Sequence, residues 1–205
     1  MSPKFLYFDL GKVLVDFSVE RMCRQMGEAA NIDAALVRET IFAGGLQDQF
    51  ECGRISDRQF HELFCQRTGS RADFDALAEA GNDIFNINLS IVPVVAQLAQ
   101  AGHRMGVLSN TSKSHWDHCR RRYRIVADAF SVHALSFEIG VSKPATAIFR
   151  AAAELAGCQP EDIFYVDDIA GHVAGARSVG FDAVQYTTTP ELVGELRKRD
   201  VRFNY

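Results

Sequence analysis

The sequence predicts an α/β protein, a doubly wound parallel sheet interrupted after its first strand by an inserted helical cap. Three observations carry that expectation. A short apolar run at residues 4–8 stops abruptly at Asp9 and reads as a buried strand. Residues 18–80 then lose every strand-like pattern and take on helical periodicity. From residue 91 onward, apolar runs and amphipathic helices alternate, the spacing of a parallel sheet with helices on both faces.

The elements follow in order. Val19, Met22, Cys23 and Met26 fall at i, i+3, i+4 and i+7, which gives one apolar helical face. Ser56 followed by Gln59 resembles a capping box opening a helix through Phe60, Leu63 and Phe64. A helix over 91–100 precedes a strand at 104–108, and a helix over 114–123 precedes a short strand at 131–135. A further helix is expected to open at Pro144, since proline suits a first helical turn. A strand at 163–166 ends at Asp167. A helix, a strand at 183–186 and a last helix at 190–199 complete the pattern. Residues 1–16 and 89–205 are therefore expected to form the α/β core, and residues 17–88 the helical cap.

Composition narrows the function classes. With 22 basic and 26 acidic side chains the chain carries a net charge of −4, so there is no electrostatic reason to expect a nucleic acid or an anionic membrane as partner. A hydrophobic share of 47 % with 23 % charged residues argues against disorder. A chain of this length buries roughly 70 % of its unfolded surface and needs no disulfide to hold a core. The five cysteines, an odd number, include no CxxC pair and read as reduced thiols. No run approaches a membrane span, and the apolar start is cut off by Asp9 and Lys12, unlike a signal peptide. The expected setting is the cytoplasm. Nothing in the sequence assigns an oligomeric state.

Ligands of open parallel sheets bind at the carboxyl ends of the strands. The first strand stops at Asp9, another at Ser109-Asn110-Thr111, and a later one at Asp167-Asp168; Lys143 stands immediately before Pro144. Three carboxylates, a hydroxyl and an amine converging on one edge are what phosphoryl transfer through a covalent aspartyl intermediate requires. An anionic nucleophile attacking an anionic phosphate needs a cation between them, and acids with a backbone carbonyl form a Mg²⁺ site. A lysine and a hydroxyl can hold the transferring oxygens as their charge shifts.

These residues sit in four motifs whose order resembles that of the haloacid dehalogenase-like hydrolases, over essentially the whole chain. They are Phe8-Asp9-Leu10-Gly11-Lys12-Val13-Leu14; Leu108-Ser109-Asn110-Thr111; Gly140-Val141-Ser142-Lys143-Pro144; and Phe164-Tyr165-Val166-Asp167-Asp168, with Ala176 and Gly180 downstream. The resemblance implies Asp9 as nucleophile and metal ligand, with the Gly11 carbonyl beside it. It implies Asp168 as a direct Mg²⁺ ligand and Asp167 as one acting through water. Ser109 and Lys143 would bind phosphate, with Asn110 adjacent, and the insertion would close over a small phosphorylated metabolite.

One position departs from the family pattern. Most of its phosphatases place an aspartate two residues after the nucleophile as general acid and base; here that residue is Gly11, which moves no proton. Members with Asp-Leu-Gly at this place include glucose-1-phosphate phosphatases. The dehalogenase branch usually has an aromatic residue there, followed by Gly-Thr. The sequence therefore favours a Mg²⁺-dependent phosphatase acting on a sugar phosphate-like monoester. A metal-free 2-haloacid dehalogenase and a phosphometabolite-binding protein with little turnover stay open.

Other polar clusters read more plainly. His115 and Cys119 lie one helical turn apart but lack further metal ligands, so they read as a solvated helix face. Arg120, Arg121, Arg122 and Arg124 suit a helix C-terminus. Phe50-Glu51-Cys52-Gly53-Arg54 is expected to form a turn between cap helices, with Arg54 facing substrate or packing in the core or at the rim.

Overall fold

Every residue of β1 (Phe5–Phe8) is buried, because both faces of the strand are covered. Leu6 and Phe8 enter one apolar cluster and Phe5 and Tyr7 the other, which is why the strand reads as a continuous apolar run rather than an alternation. The computed structural model describes residues 2–205. Met1, within the segment 1–16 assigned to the core, lies outside the described residues.

Four further strands join β1. After a ribbon strand β2 (Val15–Phe17) and its partner β3 (Phe85–Ile87) come β4 (Met105–Ser109), β5 (Val132–Leu135), β6 (Ile163–Asp167) and β7 (Asp182–Gln185). The main sheet has the order β5-β4-β1-β6-β7, with every pairing parallel. The chain builds outward through β4 and β5, then returns to lay β6 on the opposite side of β1. The strand order thus reverses beside β1, the place where open α/β sheets form their ligand crevice.

Residues 18–80 contain helices and no strand: α1 (Val19–Ala30), α2 (Ala34–Arg38), a π-helical stretch (Glu39–Ala43), α3 (Leu46–Glu51), α4 (Asp57–Thr68) and α5 (Phe74–Asn82). Ser18 caps α1 by accepting from the Arg21 N–H. The Ser56–Gln59 capping box closes in both directions at α4. The antiparallel β2–β3 ribbon brackets this block. The sequence reading missed it, because two three-residue strands about seventy positions apart carry no local signal.

In the second half, α6 (Val92–Gln100), α7 (Lys113–Arg122), α8 (Arg124–Asp128), α9 (Ser136–Ile139), α10 (Thr146–Ala156), α11 (Ala170–Ser178) and α12 (Thr189–Lys198) complete the layers. Helices α6, α7 and α12 cover the Leu6–Phe8 face; α10 and α11 cover the other. One expectation needs correcting. Pro144 does not open a helix: the peptide before it is cis, and α10 starts at Thr146. Among the described residues, no helix is long and apolar enough to cross a membrane.

Candidate active site

The carboxyl ends of β1, β4 and β6 converge on one buried ammonium. Lys143 Nζ lies 3.0 Å from Asp9 Oδ2 and 2.6 Å from Asp167 Oδ2. It also donates to Tyr165 Oη at 3.0 Å and to the Leu108 carbonyl at 3.2 Å. Lys143 and Asp9 are only 4 % and 6 % exposed, and Asp167 is fully buried. Charges this deep persist only when paired and hydrogen-bonded, and here each one is.

The loop carrying Lys143 is clamped by Asn110. Its amide donates to the Lys143 carbonyl at 3.0 Å, while the Lys143 N–H donates to Asn110 Oδ1 at 2.7 Å. This reciprocal pair fixes the lysine's backbone to the end of β4. Asn110 also lines the cavity above the site. Ser109 is buried at the tip of β4 and does not cap α7; that cap is Ser112, whose hydroxyl accepts from the His115 N–H.

Asp9 and Asp167 respond differently to burial. Burial pushes Asp9 up, to about 6; Lys143 opposes this, Asp167 adds to it, and Ser109 helps to lower it. Burial would raise Asp167 too, but hydrogen bonds from His172, Lys143 and Tyr165, with the Lys143 charge, hold it well below the usual carboxylate range. Asp167 has four partners: Lys143, Tyr165, the Ile169 N–H at 2.8 Å, and His172 Nδ1 at 3.1 Å from both oxygens. Four donors fill the lone-pair sites of a carboxylate.

Asp9, Asp167 and His172 place one ligand-capable atom each within 4.8 Å of one another. Asp168 stands outside that tight group. It is half-buried beside an outer cleft it shares with Lys12, Asp16 and Tyr186, and burial and the Asp167 charge raise its carboxyl. Gly11 lines the cavity that Ser109 and Asn110 also line. Tyr165 and His172 were not picked out from the sequence, yet both signals were present. Tyr165 is two residues before Asp167 on the same face of β6. His172 is in the first turn of α11, which opens at that strand's carboxyl end.

One expectation about the surroundings changes. The helix face bearing His115 and Cys119 is not solvated, because Cys119 is fully buried and the His115 ring packs edge-on to Phe85. Arg54 is exposed and does not line the cavity. All five cysteines are free.

A family model described as haloacid dehalogenase-like hydrolase matches residues 6–180, and the chain belongs to that family. Among its relatives, a D-ribitol-5-phosphate phosphatase of Bacteroides thetaiotaomicron is 22 % identical over 199 residues, covering 89 % of this chain and 91 % of the relative. A haloacid dehalogenase family enzyme of the same organism, solved in complex with magnesium and inorganic phosphate, is 26 % identical. It superposes with a TM-score of 0.80 over 91 % of this chain and 96 % of the other. An L-2-haloacid dehalogenase from Xanthobacter autotrophicus shares the fold at 18 % identity and a TM-score of 0.65, over 98 % of this chain and 84 % of its own.

Proposed function

We propose that this hydrolase is a Mg²⁺-dependent phosphatase that cleaves a small phosphomonoester, sugar phosphate-like, with Asp9 as the nucleophile. The observation that carries the reading is the Lys143 ammonium set between Asp9 and Asp167 at the carboxyl ends of β1 and β6. An ammonium there holds Asp9 in place and faces the oxygens of a phosphoryl group arriving above it. The relatives named as a phosphatase and solved with phosphate support the same reading.

The donor set fits a hard divalent cation. Asp9, Asp167 and Asp168 oppose a single lysine, and carboxylate oxygens dominate the candidate ligands, with the His172 ring nitrogen engaged by Asp167. Asp9, the Gly11 carbonyl and Asp168 would hold the ion directly. Asp167, its oxygens already accepting from four protein donors, would act through a water that takes the place of one of them. When bound, Mg²⁺ offsets the repulsion between the Asp9 carboxylate and the phosphate dianion.

The residues divide the remaining work. Asp9 attacks phosphorus and becomes an acyl phosphate; Lys143 and Ser109 bind the transferring oxygens; Asn110 holds the lysine's backbone. Residues 17–88 form a cap over the site, and the cavity beneath it receives the substrate's carbon skeleton. The carboxylates around Lys143 favour this reading over metal-free dehalogenation, which needs no such concentration of negative charge. Five free thiols fit a reducing compartment such as the cytoplasm.

Phosphate release from a panel of phosphorylated metabolites tests the proposal. Release is expected with Mg²⁺, and not in excess chelator or with Asp9→Asn. Unchanged release in chelator, or chloride release from a 2-chloroacid, would contradict it.

A further inference from the structure

The proton required by a departing alkoxide has no source at position 11, where glycine has no side chain and the Phe17 ring crowds the place one would take. A Cβ built on Gly11 would lie 2.8 Å from Cε1 of Phe17, so the aromatic ring of β2 fills the space a side chain would take. A general acid must therefore come from another wall of the cavity that Gly11 lines beside Asp9's neighbour Leu10. That cavity, about 320 Å³, is bounded by Gly11, Ser109 and Asn110 on the core side. Its opposite wall is mostly apolar, with Phe17, Met22 and Phe85 among its members. Two of its lining side chains are titratable, Glu51 and His115.

Glu51 is the better placed of the two. It ends α3, and the backbone on both sides of it is pinned to the core. Its carbonyl accepts from Ser136 Oγ at 2.6 Å, and the same serine bonds the N–H and carbonyl of Thr111. Cys52 Sγ lies 3.2 Å from the hydroxyl of Ser142, the residue immediately before Lys143. Gly53 has a φ of +63°, and a Cβ there would stand 2.1 Å from the Phe137 carbonyl oxygen. Only glycine permits that approach. These three contacts fix Glu51 relative to the loops that hold Lys143 and Ser109.

The side chain is held as firmly. Glu51 Oε1 accepts from Gln47 Nε2, one turn earlier on α3, and among the described residues Oε2 has no protein partner. Burial raises the Glu51 carboxyl. The Gln47 hydrogen bond lowers it, Asp48 on the same helix raises it, and the charges of Lys143 and His172 across the cavity lower it. His115 faces the same space from α7, but desolvation pushes it down to about 4, so it is neutral and without a proton to give near pH 7.

We propose that Glu51 is the general acid of the first step and the general base of the second, in place of the side chain that position 11 lacks. The inference rests on the phosphatase reading above. In the first step a bond forms between an Asp9 oxygen and phosphorus. The bond from phosphorus to the leaving oxygen breaks, and the Glu51 proton passes to that oxygen, releasing an alcohol. In the second step water attacks the phosphorus of the Asp9 acyl phosphate and gives its proton to the Glu51 carboxylate. Inorganic phosphate leaves, and Asp9 is again a carboxylate with Glu51 protonated. The cap then supplies part of the chemistry as well as covering it.

Leaving-group dependence tests this directly. With Mg²⁺ present, Glu51→Gln is expected to lose roughly 10²- to 10⁴-fold in kcat/KM on a primary alkyl phosphate. Phosphorylation of Asp9 by p-nitrophenyl phosphate, whose leaving group needs no proton, should change less than about threefold, and the labelled acyl phosphate should accumulate because its hydrolysis slows. That second rate doubles as the control for folding. The alkaline limb of the wild-type pH profile on the alkyl phosphate should vanish in the variant. Glu51→Ala provides the second variant: formate should restore its alkyl-phosphate rate in proportion to concentration. Equal loss on both substrates, no loss on either, or no formate rescue would overturn the role of Glu51. A wild type that never labels at Asp9 would instead overturn the phosphatase reading on which it rests.

Discussion

The sheet edge and the largely apolar wall of the cavity solve opposite problems. At the edge, Asp9, Lys143 and Asp167 are buried charges, and each is held by partners that leave it no alternative position. On the wall, apolar side chains such as Phe17, Met22 and Phe85 surround one carboxyl whose second oxygen has no partner among the described residues. The contrast is one of mechanism. Strand ends give precision, because their side chains inherit the register of a parallel sheet whose neighbours are fixed on both sides. Helix ends give a shaped surface, whose position depends on a few docking contacts around residues 51–53.

Breaking the edge should cost most. Lys143→Ala leaves Asp9 and Asp167 buried without their cation. Loss of the ammonium should remove roughly 3 kcal/mol of transition-state stabilisation, about a hundredfold in rate. Uncompensated burial should also destabilise the fold by about 3–5 kcal/mol. Steady-state kinetics and urea unfolding read both. A loss below threefold in rate would mean that the lysine serves only to neutralise its neighbours.

Disturbing the docking of the wall should cost less and act differently. Gly53→Ala forces a Cβ against the Phe137 carbonyl at a positive φ. It should cost about 2 kcal/mol, lowering Tm by roughly 5 °C. On an alkyl phosphate kcat should fall as KM rises, because Glu51 moves with the wall, while labelling of Asp9 by p-nitrophenyl phosphate should hold, since the edge itself is untouched. Loss of that labelling would show that the edge and the wall are not separable.

How much of this was legible in the sequence follows the same division. The strand ends were readable because an apolar run halting at an acid is a local signal, and Asp9, Ser109 and Asp167 all stand where such runs stop. Tyr165 and His172 needed only the strand period and the start of the next helix. Glu51 was seen as part of a turn, and its approach to the site depends on contacts with Ser136, Phe137 and Ser142, some 85 to 90 residues away. The β2–β3 ribbon and the Phe17 ring beside Gly11 were hidden for the same reason. His115 seemed solvated because its helix is rich in charge; the apolar ring against it comes from β3.

The smallest effect concerns that histidine. Its folded-state value, about 4, lies below its ordinary 6.5 because desolvation opposes the charged form. The folded protein therefore binds this proton less readily than the unfolded chain. The His115 contribution to stability is complete above about pH 6.5 and is lost as pH falls toward 4. Replacing it, as in His115→Phe, should flatten the stability profile between pH 7 and pH 5, read as the change in urea midpoint. An identical slope in wild type and variant would place the ring in water.

The central claim is that Asp9 carries the phosphoryl group. Rapid acid quench of a single turnover with ³²P-labelled substrate, followed by peptide mapping, measures it most directly. The expected result is one labelled, base-labile peptide containing Asp9, formed by wild type and absent in Asp9→Asn. Turnover with no label on Asp9, or comparable turnover by Asp9→Asn, would contradict the account.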